Sequence, residues 1–407
     1  MQTDTLASPK PAHVPDELYW DHSLSEFNNE LDDPFIAASR LLAGPPLFWA
    51  RDGAQGRPGW VIARHALLKE AFIDWEHFSS EGGMDLTMML GVDWNLNPVN
   101  IDPPRHTKYR KVLTPFFTPK AVSHMEEGVR QTVEELIAPF ADKGGCDFVK
   151  DFAIPFPSII FLRLMGMPLD MMNQFFQWEQ ELLHGLSMEG RLKAGREILE
   201  YLKSHLEQQK KQPATPLMES IMNAEIDGKK LNDGEILGMF YTFYVGGLDT
   251  VYATISWSMR HIATHPEFQQ FLRDNPDQMD KAVMEMLRMF SVVSSQRRVT
   301  KDFVWHGVQM KENDLVIMPI FIACRDPEAY PDPHEFHLGR DEQTLSFASG
   351  PHLCLGMHLA RREIKIAIES FLAKFDNIRI AQGQHYTFHA GPTFNVNSLP
   401  LEWDKKG

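Results

Sequence analysis

Four hundred and seven residues, 43% of them hydrophobic and 23% charged, describe a chain long enough to bury a large core. Forty basic against 55 acidic side chains leave a formal charge of −15, which argues against binding to nucleic-acid backbones or anionic membrane surfaces. No stretch approaches the ~20 apolar residues of a bilayer span, and three widely spaced cysteines, Cys146, Cys324 and Cys354, exclude a disulfide framework and a four-cysteine iron–sulfur centre and fit a reducing cytoplasm.

Residues 1–35 are rich in Pro, Asp, Glu and Asn and carry no apolar core of a secretory leader, so they read as an extended lead-in. Residues 36–407 read as one helix-rich domain with a small β-rich subregion. Residues 120–141 keep Val122, Met125, Val129, Val133, Leu136 and Ile137 at a helical period, and 170–211 form a second helical region interrupted near 185–190. Asn232 followed by Glu235 is an N-terminal capping signature. The dense apolar run after it continues to His265, just before Pro266, and predicts a helix ~50 Å long. It is apolar on nearly every face, so it belongs in the middle of the molecule. A shorter helix is predicted over 276–290, strands over 303–310 and 315–323 around a polar turn at 311–314, an amphipathic helix from Gly356 to about Phe375, and strands from Ile378 onward.

Residues 345–362 read LSFASGPHLCLGMHLARR. Cys354 lies in a loop bounded by Gly350 and Gly356, directly before a helix, where unpaired N–H groups favour thiolate and close amides tune a metal-bound sulfur. A lone cysteine is more often a buried structural thiol. Here, however, Phe347, Gly350, His352, Cys354, Gly356, Leu359 and Ala360 stand at fixed offsets, and the segment resembles the haem-binding loop of the cytochrome P-450 family. The resemblance implies a mainly α fold with a small β portion, a long central helix over a buried haem b, and Cys354 as the axial ligand of the iron. A thiolate there pushes electron density onto the metal and favours O–O cleavage.

Other elements agree in chain order. Glu285 and Arg288 match the family's ExxR element, whose two side chains share one helix face and reach a third group; they are assigned to folding and haem retention. Within the long helix, Val245-Gly246-Gly247-Leu248-Asp249-Thr250-Val251 places two glycines, an acid and a hydroxyl where each is costly: glycine by roughly 1 kcal/mol, buried polar groups unless satisfied. Thr bonds back to the preceding turn and opens the helical ladder. The stretch resembles the family's distal acid–alcohol pair, which implies that Asp249 and Thr250 relay protons for dioxygen-dependent catalysis. Residues 102–110, DPPRHTKYR, resemble the element whose His and Arg meet the haem propionates. That implies anchoring by His106 and Arg110, with Arg297 (rather than the adjacent Arg298) and His352 as further anchors.

The likeness covers the chain beyond its lead-in and is nearest to the camphor-hydroxylase branch of the soluble bacterial members. It implies a substrate pocket built from Trp94, Leu96, Val99, Thr242, Val245, Gly246, Val293, Ser295 and Thr393, small and mostly apolar. Camphor-binding members carry tyrosine where Trp94 stands. An indole N–H donates but does not accept, which points towards a monoterpenoid such as 1,8-cineole or a norisoprenoid such as ionone. The chain has no GxGxxG fingerprint, so the resemblance implies a separate [2Fe–2S] ferredoxin with an NAD(P)H-dependent reductase, docking on a basic patch near Cys354 for which Lys108, Arg110 and Lys111 are candidates. The alternative, a haem-thiolate ligand or gas sensor without turnover, has no need of Asp249 and Thr250. Cytoplasmic location, with neither nucleic acid nor membrane as partner, completes the expectation.

Overall fold

The computed structural model describes residues 10–24, 33–54, 56–82, 86–340, 344–389 and 393–405. Helices dominate, and seven of them position the site: Arg105–Leu113 (α1), Met172–His184 (α2), Met188–Lys211 (α3), Asp233–Gly247 (α4), Asp249–Thr264 (α5), Met279–Met289 (α6) and Met357–Lys374 (α7). Within the lead-in, Tyr19–Ser23 forms a strand parallel to Leu47–Ala54. None of the helices in the described residues is long and apolar enough to cross a membrane.

Asn232 caps α4 through a reciprocal pair. Its Oδ1 accepts from the Glu235 amide at 3.0 Å, and the Glu235 carboxylate accepts from the Asn232 amide at 2.8 Å. The run that reads as one helix is two, joined at Leu248. Its two glycines do different things. A Cβ on Gly247 would sit 2.7 Å from the Phe161 ring, whereas a Cβ on Gly246 would meet nothing within 4 Å. The hydroxyl of Thr250 donates to Gly246 O at 3.4 Å, engaging the carbonyl that the ladder would otherwise use at the break. Below the break α5 is buried along most of its length, and the Trp257 indole donates to Phe394 O at 2.9 Å.

The interruption near 185–190 is the end of α2 followed by a new cap, Ser187, which accepts from the Gly190 amide. The segment 120–141 is likewise two helices, Pro119–Ser123 and Glu126–Ile137, with Val122, Val129, Val133 and Ile137 all buried. The helix Pro266–Asp274 was not anticipated. Proline stops a helix that reaches it, but it is equally at home in the first turn of the next.

The main sheet has six strands in the order Tyr19–Ser23, Leu47–Ala54, Arg57–Ile62, Leu315–Pro319, Ser294–Val299, Phe78–Ser79. The pair at 47–62 escaped the sequence reading because residues 47–50 and 59–62 are buried without alternation, which removes the period-2 signal. The predicted strand at 315–323 stops at Pro319, and Ile320–Ala323 makes one helical turn closed by the Cys324 amide on Ile320 O at 2.8 Å. By contrast, 303–310 folds into the hairpin Phe303–Trp305 and Val308–Met310, turning at His306 and Gly307, both with positive φ.

Candidate functional site

Cys354 precedes α7, its amide donating to Phe347 O at 2.9 Å. Gly350 adopts φ 68°, and a Cβ there would lie 2.8 Å from Phe72 O, so only glycine fits. Gly356 has an ordinary φ of −84°, and its Cβ direction is open; its contribution is its amide, which bonds the Cys354 sulfur. Cys354 is exposed as a residue, while its thiol is surrounded by protein. Burial pushes the free thiol up against the opposing pull of the Gly356 amide and Arg110, so the helix start alone does not produce the thiolate. A bound metal ion does that outright.

Around it gather the four expected anchors. Arg110 spans from α1 to Pro351 O at 3.3 Å. The rings of His106 and His352 lie 4.3 Å apart, and His352 Nε2 meets Ser80 Oγ at 3.0 Å, with Asp102 Oδ1 at 3.8 Å. Arg297 is 8% exposed, whereas its strand neighbour Arg298 turns outward to Gly82 O at 2.6 Å. Burial, with His352 and Arg110 nearby, lowers His106 to about 4, and burial lowers Arg297 to about 10.

These groups fit haem b. Nδ1 of His106 is buried without a partner, and Asp102 is the carboxylate that acts on a cluster of two arginines and two histidines, so the two carboxylates of a haem edge would complete its balance. The Cys354 sulfur is the one soft donor the iron requires.

Glu285 and Arg288 form a buried bidentate pair, Nη2–Oε1 2.7 Å and Nε–Oε2 2.9 Å. Arg340, which the sequence reading missed, also donates to Glu285 Oε1 at 2.9 Å. The guanidinium of Arg288 reaches Cys324 O at 2.8 Å and Pro333 O at 2.9 Å. Ser346, just before the cysteine loop, bonds to Leu287 O and Ser291 Oγ on the same stretch, so the loop hangs directly from the ExxR helix α6.

Asp249 is 1% exposed and accepts from Asn395 Nδ2 at 2.9 Å, Gln180 Nε2 at 3.2 Å and the Thr393 hydroxyl, with His184 Nε2 at 3.3 Å. Burial would raise its carboxyl, but the bond and charge of His184, with Thr393 and Asn395, hold it below the ordinary value. None of Gln180, His184 and Asn395 carries a motif that would have found it. Glu179 is fully buried with no side-chain partner for either oxygen, and burial and Asp249 push its carboxyl well up, which favours the neutral form.

The proposed substrate residues divide. Val293 and Thr393 meet in an isolated β-bridge, Ser295 pairs with Met318 in the main sheet, and Thr242, Val245 and Gly246 follow one another along α4. Trp94 packs against Gly234 at the start of α4, with its ring centroid 6.3 Å from that of Tyr241 further along the same helix. There it lines a polar cavity of about 420 Å³ with Arg105, Asn97 and Glu235. Leu96 is core and Val99 is exposed. Of the anticipated docking cations, Lys108 is paired with Asp227 at 2.6 Å, Arg110 points inward, and Lys111 is exposed.

A family model described as cytochrome P450 matches residues 187–402. A protein described as probable cytochrome P450 127A1, from Sinorhizobium fredii, is 35% identical over 404 residues, covering 97% of each chain. Cytochrome P450(MEG) of Priestia megaterium is 30% identical, covering 91% of this chain and 94% of its own. Among solved structures, CYP101C1 superposes with a TM-score of 0.86 at 28% identity, covering 97% of this chain and 100% of that one. CYP101J2 gives 0.85, also at 28% identity, covering 98% and 100%.

Proposed function

The chain belongs to the cytochrome P450 family, and from that premise we propose that it hydroxylates a small terpenoid with electrons from a separate [2Fe–2S] ferredoxin. As a member it is an oxidoreductase, a monooxygenase that holds haem b through a cysteine thiolate. The bound haem supplies activation of dioxygen, one atom of which enters the substrate.

In this proposal Cys354 ligates the iron, and His106, Arg110, Arg297 and His352 hold the propionate edge. The observation that carries the catalytic reading is the break at Leu248, where the Thr250 hydroxyl bonds back to Gly246 O at 3.4 Å and Asp249 lies buried in a shell of hydrogen-bond donors. Thr250 positions a proton for the reaction and Asp249 resupplies it. The half-buried side chains of Thr242, Val245 and Val293 and the exposed Gly246 form the substrate wall. The terpenoid assignment draws on the likeness of residues 245–251, 305–315 and 353–364 to the camphor-hydroxylase branch. A gas sensor is the less favoured reading, since a proton path has no use in it.

Thr250→Ala is expected to keep haem and substrate binding while diverting most reducing equivalents to peroxide. The ratio of product formed to NADH consumed measures this, and an unchanged ratio sinks the Thr250 assignment. The substrate class is tested by optical titration of the ferric holoprotein with 1,8-cineole, camphor, borneol and ionone. A Soret shift towards high spin with one of them supports it; a haem spectrum that none of them moves rejects the terpenoid class and leaves the monooxygenase intact.

A further inference from the structure

Burying a carboxylate is costly unless its lone pairs are met, and Asp249 meets four side chains. On Oδ1 are Gln180 Nε2 and Asn395 Nδ2; on Oδ2 are Thr393 and His184 Nε2. Amides and a hydroxyl hold a charge but do not take up and release protons near neutral pH. An imidazole does. His184 is the last residue of α2, directly before the exposed residues 186–189, and its side chain keeps 9% of its surface accessible while that of Asp249 keeps 1%. On its other side His389, from the strand Thr387–His389, meets it edge-on with centroids 4.6 Å apart. His389 Nδ1 lies 2.5 Å from Asn397 Oδ1, which is exposed, and its Nε2 is without a partner.

We infer that Asp249 exchanges protons with solvent through His184. The inference rests on the reading of Asp249 as the relay acid. In each passage His184, whose Nε2 lies 3.3 Å from Asp249 Oδ2 and 3.1 Å from Asn395 Nδ2, gives a proton as imidazolium to Asp249 Oδ2, leaving a neutral imidazole and a carboxylic acid. The acid passes that proton inward towards Thr250 and returns to carboxylate, and His184 is recharged from its solvent side. Among the other titratable groups facing this pair, burial and Asp249 raise Glu179 and Tyr252, and burial together with His184 lowers His389. His184 acts through Asp249 and is therefore a positioning residue, not one that touches the reacting atoms.

His184→Gln keeps an amide donor for Asp249 and removes the titrating ring. The holoenzyme variant is expected to show the wild-type ferric spectrum and substrate-induced shift, with turnover about tenfold to a hundredfold lower. The variant should also show a larger solvent isotope effect on turnover than the wild type. Turnover within twofold of wild type, or a slower enzyme with an unchanged solvent isotope effect, overturns the inference. Asp249→Asn, measured in parallel, separates the two readings. If it is slow while His184→Gln is normal, only the His184 assignment fails. If Asp249→Asn is itself normal, the relay reading falls and this inference with it. Should His184→Gln fail to take up haem, His184→Asn carries the same isotope-effect comparison.

Discussion

Cys354→Ser is expected to give a folded protein whose reduced carbonyl complex lacks the thiolate absorption and whose dioxygen-dependent turnover falls at least ~1,000-fold, about 4 kcal/mol of barrier. The fold should survive because the contacts that shape the loop are main-chain: Cys354 N to Phe347 O at 2.9 Å and Leu353 N to Gly350 O at 3.1 Å. Neither uses the sulfur. The loop also stays tied to α6 through Ser346. What goes is electron donation, since a serine hydroxyl at neutral pH is neither anionic nor soft. The spectrum, the turnover and the thermal midpoint of the haem-loaded variant check this together. A retained thiolate spectrum would remove the ligand assignment, whereas a large loss of stability would mean that the sulfur itself holds the loop.

Arg288→Ala is expected to be the most damaging substitution for assembly, costing about 3–5 kcal/mol and leaving little haem-loaded protein. The loss is not that of one ion pair. It leaves Glu285 buried with Arg340 and the His337 amide as its remaining donors, strips Cys324 O of its donor, and leaves Pro333 O with only Arg325 Nη1 at 3.4 Å and Glu335 O with only Arg340 Nη2 at 3.0 Å. Arg288→Lys should recover part of the loss, because an ammonium keeps the charge but cannot serve two carboxylate oxygens and three carbonyls at once. Acid sensitivity gives a second readout. Burial would raise the Glu285 carboxyl, but Arg288, Arg340 and the His337 amide outweigh it and hold it below its ordinary 4.5. The stabilisation from this group is thus fully present above about pH 4.5 and is lost as pH falls through the lower folded value. In Arg288→Ala the carboxyl protonates at higher pH, so haem release on acidification should begin earlier. Absorbance at the Soret band against pH measures both proteins, and coincident curves would mean that Arg288 does not set the ionisation of Glu285.

Fold class and cysteine loop were legible in the sequence because their signals are local. A capping pair three residues apart at Asn232 and Glu235, glycine beside Cys354, a Glu and an Arg on one turn: each is specified by a handful of neighbouring residues, and the structure places each where local rules put it. Local rules also misled. Proline at 266 reads as a stop and serves as a start, and residues 320–323 favour a strand by composition but coil once the sheet ends at Pro319. The strands at 47–62 carry no alternation because they are covered on both faces.

By itself the sequence determined the family and the cofactor, and its motifs carry the proposal of which residues hold it. Only the tertiary structure decided which of two adjacent arginines turns inward, that Trp94 packs against Gly234 and beside Tyr241 on α4, and that Asp249 sits between Gln180 and His184 on one helix and Thr393 and Asn395 on the tail, with Gln180 69 and Asn395 146 positions away. The reason is physical. A ligand loop or a cap is made by neighbours in the chain and leaves a spacing to read. The solvation of a buried charge is made by whatever side chains the fold delivers to it, and nothing in their order along the chain records that meeting.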